Sequence, residues 1–163
     1  MLNVYPFQWR TPQILLLSIF AVVPFMSIDV ALAEPQRFVH PDQATTYVDP
    51  VSKSEIKVLI DEHLGGTSDV TLAYLTIPPG TDVPDHIHQS TEIFYVLSGE
   101  LEQTSEGKVK TLSAGMTCLV PANTTTHHTV KSKEPVTALV IWAPGGEEKR
   151  ITERWQANPP KSQ

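Results

Sequence analysis

The sequence predicts an all-β protein, a single closed or nearly closed barrel of short strands. Three observations lead there. Between positions 54 and 146, Gly, Pro and Asn turns break the chain about every ten residues. The segments between turns either alternate apolar and polar residues or are apolar on both faces, as strands packed in a barrel are. Beyond residue 33, no stretch needs a helix longer than two turns.

Residues 1–33 read as a leader outside that barrel. Arg10 precedes an apolar run at 14–26 that is interrupted by Pro24, and Ala31-Leu32-Ala33 stands before Glu34. A basic lead, a short apolar middle and an A-x-A exit mark a secretory signal peptide. A membrane-spanning helix needs about 20 apolar residues, which this run does not supply. The chain is therefore expected to be exported to the periplasm or the extracellular space, to be cleaved after Ala33, and to have no membrane contact after cleavage.

Residues 34–69 are expected to hold a lead-in and the first strand. The polar stretch 34–50, with Pro35, Pro41 and Pro50, is irregular or a short edge strand, and His40 lies on the surface. Over 54–61, Ile56, Val58 and Ile60 alternate, which gives one buried face. His63 falls in the turn that follows. The barrel core is expected over 70–146, with a tail at 147–163. In 70–77, Leu72, Tyr74 and Thr76 share one face, and Ala73, Leu75 and Ile77 share the other.

Pro78-Pro79-Gly80 then turns the chain into the stretch that carries the chemistry. His86 and His88 stand two apart, so in an extended strand they aim at one point. Gln89-Ser90-Thr91 reads as a turn. Glu92 heads the apolar run 93–97, with Glu92, Phe94 and Val96 on the inner side and Ile93, Tyr95 and Leu97 on the outer. Two imidazoles and a carboxylate at the start of adjacent strands suit a transition-metal site.

These residues, with Gly80 and Gly99, form the pattern Gly-x5-His-x-His-x3-Glu-x6-Gly. It resembles the first signature of the cupins, with every defining position matched. The resemblance covers about 70–142 and implies a jelly-roll barrel (double-stranded β-helix). It implies metal binding by His86, His88 and Glu92, joined by one histidine from a second signature. It also implies a homodimer.

Next come a hairpin, 100–104 and 108–112 around Ser105-Glu106-Gly107, and an apolar strand at 116–120. Cys118 in that strand reads as a buried small hydrophobe; as the only cysteine it leaves the fold without an internal disulfide. Gly115 and Pro121 match the second cupin signature, Gly-x5-Pro-x-Gly-x2-His-x3-Asn. Asn123 replaces its second glycine, as the residue next best suited to positive φ. Thr126 occupies the histidine position, with His127 and His128 one and two residues late and Ser132 in place of the final asparagine. A one-residue insertion would select His127 and a two-residue insertion His128, with Val130 continuing on the same face. His128 is taken as the fourth ligand; a three-ligand site remains if neither binds. Residues 136–142 form the last clear strand, with Val136, Ala138, Val140 and Trp142 on one face. Residues 147–155 are read as a short helix or strand packed outside, fraying from Asn158.

Imidazole and carboxylate donors suit a divalent transition metal, Fe, Mn, Ni or Zn. A ligating histidine must be neutral, so binding is expected to weaken as pH falls toward about 6. Two classes of function fit. One is a metal-dependent enzyme (oxygenase, isomerase or lyase) acting on a small oxygen-rich molecule, with Tyr74, Phe94 and Trp142 shaping the pocket. The other is a non-catalytic module that binds a sugar or another metabolite. No catalytic residue is identified beyond the metal ligands. The net charge of −6, with no basic cluster, argues against nucleic acid and anionic membranes as partners.

Overall fold

The computed structural model describes residues 36–160, so the expected leader at 1–33 lies outside the described residues. Among the described residues, eleven strands form two antiparallel sheets. The larger has the order β11 (Gln156–Asn158), β1 (Thr46–Val48), β2 (Glu55–Ile60), β3 (Thr71–Ile77), β10 (Val136–Ala143), β5 (Thr91–Ser98) and β8 (Thr117–Val120). The smaller has the order β4 (Asp82–Ile87), β9 (Thr125–Thr129), β6 (Glu100–Ser105) and β7 (Lys108–Ser113). Two sheets with strands crossing over between them are the expected jelly-roll arrangement. Among the described residues no helix is long and apolar enough to cross a membrane.

Alternation explains the core. Val136, Ala138, Val140 and Trp142 all point inward from β10 and are buried, and Phe94 and Val96 do the same from β5. Ile56, Ala73, Ile77, Leu101, Leu112 and Val130 complete the cluster. Leu101 is fully enclosed, so Leu101→Ala should cost about 2–5 kcal/mol, the usual range for a truncated core leucine. Urea denaturation would read this as a lower midpoint with an unchanged slope.

Turn chemistry also follows from residue type. The β6–β7 hairpin turns on Glu106 and Gly107, with φ 51 and 73, the pair of positive values that a two-residue type I′ turn needs. Asn123 takes φ 63, as expected of an asparagine replacing glycine. Gly99 has φ 77, and a Cβ there would stand 2.5 Å from the Pro135 carbonyl oxygen. Both its backbone angle and the close approach of the β10 entry require glycine.

Three expectations need correction. Tyr74 does not shape the pocket; it lies on the outer face of β3, exposed, while Ala73 and Ile77 point in. Both faces of that strand are apolar, so a period of two could not say which was inside. The 147–155 segment does not pack on the outside. It forms α1 (Glu148–Thr152), with Glu147 and Glu148 buried and Ile151 and Trp155 packed on the core. The chain beyond is also held further than expected, because Gln156, Ala157 and Asn158 pair with Val48, Tyr47 and Thr46.

Candidate functional site

A cavity of about 300 Å³ opens at one end between the sheets, bordered by His86, His88, Glu92 and His128. Each reaches it from a different backbone setting. His86 lies near the end of β4, after an irregularity in its pairing with β9 between Val83 and His86. His88 is just past the strand end. Glu92 is the second residue of β5, inward-facing by alternation with Phe94 and Val96. His128 comes from β9 beside Phe94, with ring centroids 5.1 Å apart. The His86 ring centroid is 4.9 Å from that of His88 and 5.1 Å from that of His128. The four predicted residues are thus brought together.

His127 is not brought in. It points the other way, with Nε2 2.8 Å from Asp82 Oδ1 and Nδ1 3.1 Å from Asp85 Oδ1. The hydrogen bond to Asp82, reinforced by Asp85, raises its pKa above the usual imidazole value. Adjacent residues on a strand face opposite sides, so only one of the two histidines can enter the cavity. His40 is exposed, as expected. Cys118 is partly buried against the core, where burial raises its thiol pKa.

Glu92 is 2 % exposed. Trp142 lies beside it across β5 and β10, and its Nε1 donates to Glu92 Oε1 at 3.0 Å. His88 Nε2 is 3.2 Å from the same oxygen, yet off the hydrogen-bonding direction, so it stays unpartnered. His128 Nε2 is 4.0 Å from Glu92 Oε2, which is also unpartnered. Burial pushes the Glu92 pKa up to about 8 and that of His128 down to about 3. Burial also lowers His86 and His88. All three imidazoles are therefore neutral near pH 7, the form that ligates metals.

Behind His88 stands Glu147, which sequence reasoning missed. Its Oε2 accepts from His88 Nδ1 at 3.2 Å and from Arg150 Nη1 at 3.1 Å, while Oε1 accepts from the Gln89 N–H at 2.5 Å. Burial alone would raise its pKa, but these donors outweigh it and hold the carboxyl below the usual range. Glu147 is far from His88 in sequence and no local spacing signals the pairing. His86 is held by local means instead, its Nδ1 donating to the Pro84 carbonyl at 2.8 Å. As the side chains stand, no group of three or more His, Cys, Asp or Glu among the described residues is already arranged to hold a metal ion.

Residues 73–142 match a family model described as a cupin domain, and solved cupin structures share the fold. Over those residues the chain carries a cupin domain. A cupin from Shewanella frigidimarina described as RmlC-like superposes with a TM-score of 0.58 at 17% identity, over 72% of this chain and 98% of that one. KdgF from a Halomonas species gives 0.57 at 19% identity, over 69% and 98%. A predicted oxalate decarboxylase from Thermotoga maritima gives 0.55 at 20% identity, over 66% and 98%. At these identities the likeness is one of fold. No curated protein matches this cupin by sequence.

Proposed function

We propose that this cupin is an exported protein that holds one divalent transition metal ion on His86, His88, Glu92 and His128, and that it takes a small molecule into the adjoining cavity. The observation that carries the reading is the cluster itself: three neutral imidazoles and one buried carboxylate around one cavity end, with His88 Nε2 and Glu92 Oε2 lacking any partner. Two donors on one cation, with bonds of about 2.1 Å, lie roughly 3–3.5 Å apart. His88 Nε2 lies 3.2 Å from Glu92 Oε1 and His128 Nε2 lies 4.0 Å from Oε2, so the side chains must shift for one Glu92 oxygen to share a cation with both rings. The donor set suits Fe(II), Mn(II), Ni(II) or Zn(II). A metal bound there would supply Lewis-acid polarisation of a substrate oxygen, or O₂ chemistry if it is iron.

The chain's own residues do the positioning. Trp142 holds one oxygen of Glu92, and Glu147 holds Nδ1 of His88 so that Nε2 is free to bind. A partner of this kind behind a ligating histidine is worth about 10–100-fold in metal affinity. Glu147→Ala should lose affinity on that scale in a competition titration with a chromogenic chelator. Phe94, Trp142, Leu75 and Ile77 form the apolar part of the cavity wall.

Titrating metal into the chelator-stripped, untagged protein tests the reading. One tight site is expected, and absence of saturable binding would refute it. A metal-dependent oxygenase, isomerase or lyase on a small oxygen-rich molecule is the reading in which the cluster is catalytic. A second reading, a non-catalytic module for a sugar or metabolite, is favoured by the cavity's polar wall. Ser52 donates to Asp49 and accepts from the Ser54 hydroxyl, and Asp82 accepts from His127 and Thr129, so these groups hold one another and none is poised as an acid–base pair. Oxygen uptake or product formation with enediols, flavonols and uronates would identify the enzyme; saturable binding without turnover would identify the module.

Two further parts of the proposal rest on separate observations. Export rests on residues 1–33, and mass spectrometry of secreted protein should find Glu34 at the N-terminus; an intact Met1 would refute cleavage. A homodimer is supported by the outer face of the large sheet. There Tyr74, Leu139 and Tyr95 align in one row across β3, β10 and β5, and Leu72, Ile141, Ile93 and Leu119 in another that extends to β8. Tyr74, Tyr95 and Leu119 are exposed, and such contiguous apolar surface marks an interaction site. Light scattering should give twice the chain mass, and Tyr95→Glu should halve it. A monomeric wild type would end that part.

A further inference from the structure

Four buried side-chain atoms among the described residues lack a hydrogen-bond partner: His88 Nε2, Glu92 Oε2, Gln103 Oε1 and His128 Nδ1. Buried polar groups are nearly always paired, so each asks for an explanation. The first two face the proposed metal position. The second two do not. Gln103 does not border the cavity, and Nδ1 is the His128 ring nitrogen other than the one that approaches Glu92.

These two remaining groups are neighbours. Gln103 on β6 and His128 on β9 are directly opposed in the strand register. Directly opposed residues of antiparallel strands project to the same face with Cβ atoms about 4.5–5.5 Å apart. Both are buried. One orphan is an amide oxygen, an acceptor; the other is a ring nitrogen able to carry a hydrogen. Two rings lie beside His128, each with its centroid 5.1 Å away: Phe94, which offers no acceptor atom, and His86, which makes no hydrogen bond to Nδ1.

The orientation of the Gln103 amide follows from its other contact. The Thr126 hydroxyl donates to the Thr104 carbonyl at 3.5 Å. Its oxygen accepts from Gln103 Nε2. The amide oxygen is left turned away from Thr126, with His128 as its cross-strand neighbour.

We infer that Gln103 sets the tautomer of His128: its Oε1 takes the hydrogen of Nδ1, which leaves Nε2 unprotonated with its lone pair toward the cavity. Gln103 is then a positioning residue, acting through His128 on whatever binds there. The use of that lone pair rests on the metal reading above. The arrangement makes the three histidines alike. His86 gives its Nδ1 hydrogen to the Pro84 carbonyl and His88 gives its own to Glu147, so all three would present Nε2. The ring nitrogen that binds metal is fixed by the bond its partner nitrogen makes.

The test is a long-range ¹H–¹⁵N correlation spectrum of metal-free, histidine-labelled protein, with Zn²⁺ affinity measured separately by competition titration. Wild type should show His128 with hydrogen on Nδ1. Gln103→Met, which keeps side-chain length and removes the acceptor, should bring in the Nε2–H form and lower Zn²⁺ affinity roughly 10–100-fold. Gln103→Glu, which restores an acceptor oxygen, should recover both. A wild-type His128 with hydrogen on Nε2 would overturn the inference without recourse to any variant. So would a Gln103→Met protein with an unchanged tautomer. Absence of Zn²⁺ binding by wild type would overturn the metal reading alone, because the tautomer is read without metal.

Discussion

His128→Ala should weaken metal binding by more than the roughly 10–100-fold that loss of a supporting residue costs, whereas His127→Ala should leave it nearly unchanged. The two residues are adjacent, of the same type, and equally plausible from spacing alone. They differ in which way the strand turns them. His128 enters the cavity, is almost fully buried and approaches Glu92. His127 is turned to the opposite side, where Asp82 and Asp85 occupy both ring nitrogens. Removing it breaks its ion pairs with Asp82 and Asp85 and touches none of the four proposed ligands. Parallel titrations of the two variants check the claim. Equal affinities would show that neither histidine ligates, leaving His86, His88 and Glu92 as a three-residue site.

The second large effect is on pH. Sequence reasoning expects binding to fade as histidine protonates near pH 6. The geometry moves that limit to Glu92. Burial holds the His128 pKa near 3 and lowers those of His86 and His88, so His128 stays neutral well into acid. Glu92 behaves oppositely: burial raises its pKa from 4.5 to about 8. At pH 7 the metal-free protein therefore carries Glu92 as the neutral acid, and a metal must displace its proton.

The sign follows. A folded pKa above the ordinary value means that the folded protein holds a proton the unfolded chain has released, so the metal-free fold loses stability as pH rises from 4.5 through about 8. Apparent metal affinity runs the other way. It should rise about tenfold per pH unit, one proton being released per metal, and level off above pH 8. Calorimetric titrations at pH 7 in two buffers of different ionisation enthalpy should report close to one proton released. Affinity flat between pH 6 and 8 would contradict the assignment of Glu92 as a ligand.

What the sequence revealed, and what it hid, divides by the range of the interaction. His86, His88 and Glu92 were legible because strand alternation and one short turn fix their common direction within thirteen positions of Gly80 and Gly99. Asn123 was legible for a similar reason, since few residues tolerate its backbone angle. Choosing His128 over His127 was possible because Val130 continues the same buried face. Glu147 was hidden, since it meets His88 only after the chain has crossed the barrel and turned into α1. Tyr74 was misplaced because an equally apolar strand face gives alternation nothing to choose between. The β11 pairing was hidden because Gln156, Ala157 and Asn158 carry no strand signature and are held by the backbone of β1. Gln103 sits between Glu102 and Thr104, in a segment whose polarity suggests solvent, and its burial depends on β9 lying across it.

Anomalous diffraction from crystals of metal-loaded protein, recorded at the absorption edge of the bound element, would locate the ion itself. One peak is expected, within about 2.0–2.3 Å of Nε2 of His86, His88 and His128 and of one Glu92 oxygen. A peak elsewhere on the molecule, or a fully loaded crystal with no peak among those four side chains, would contradict it.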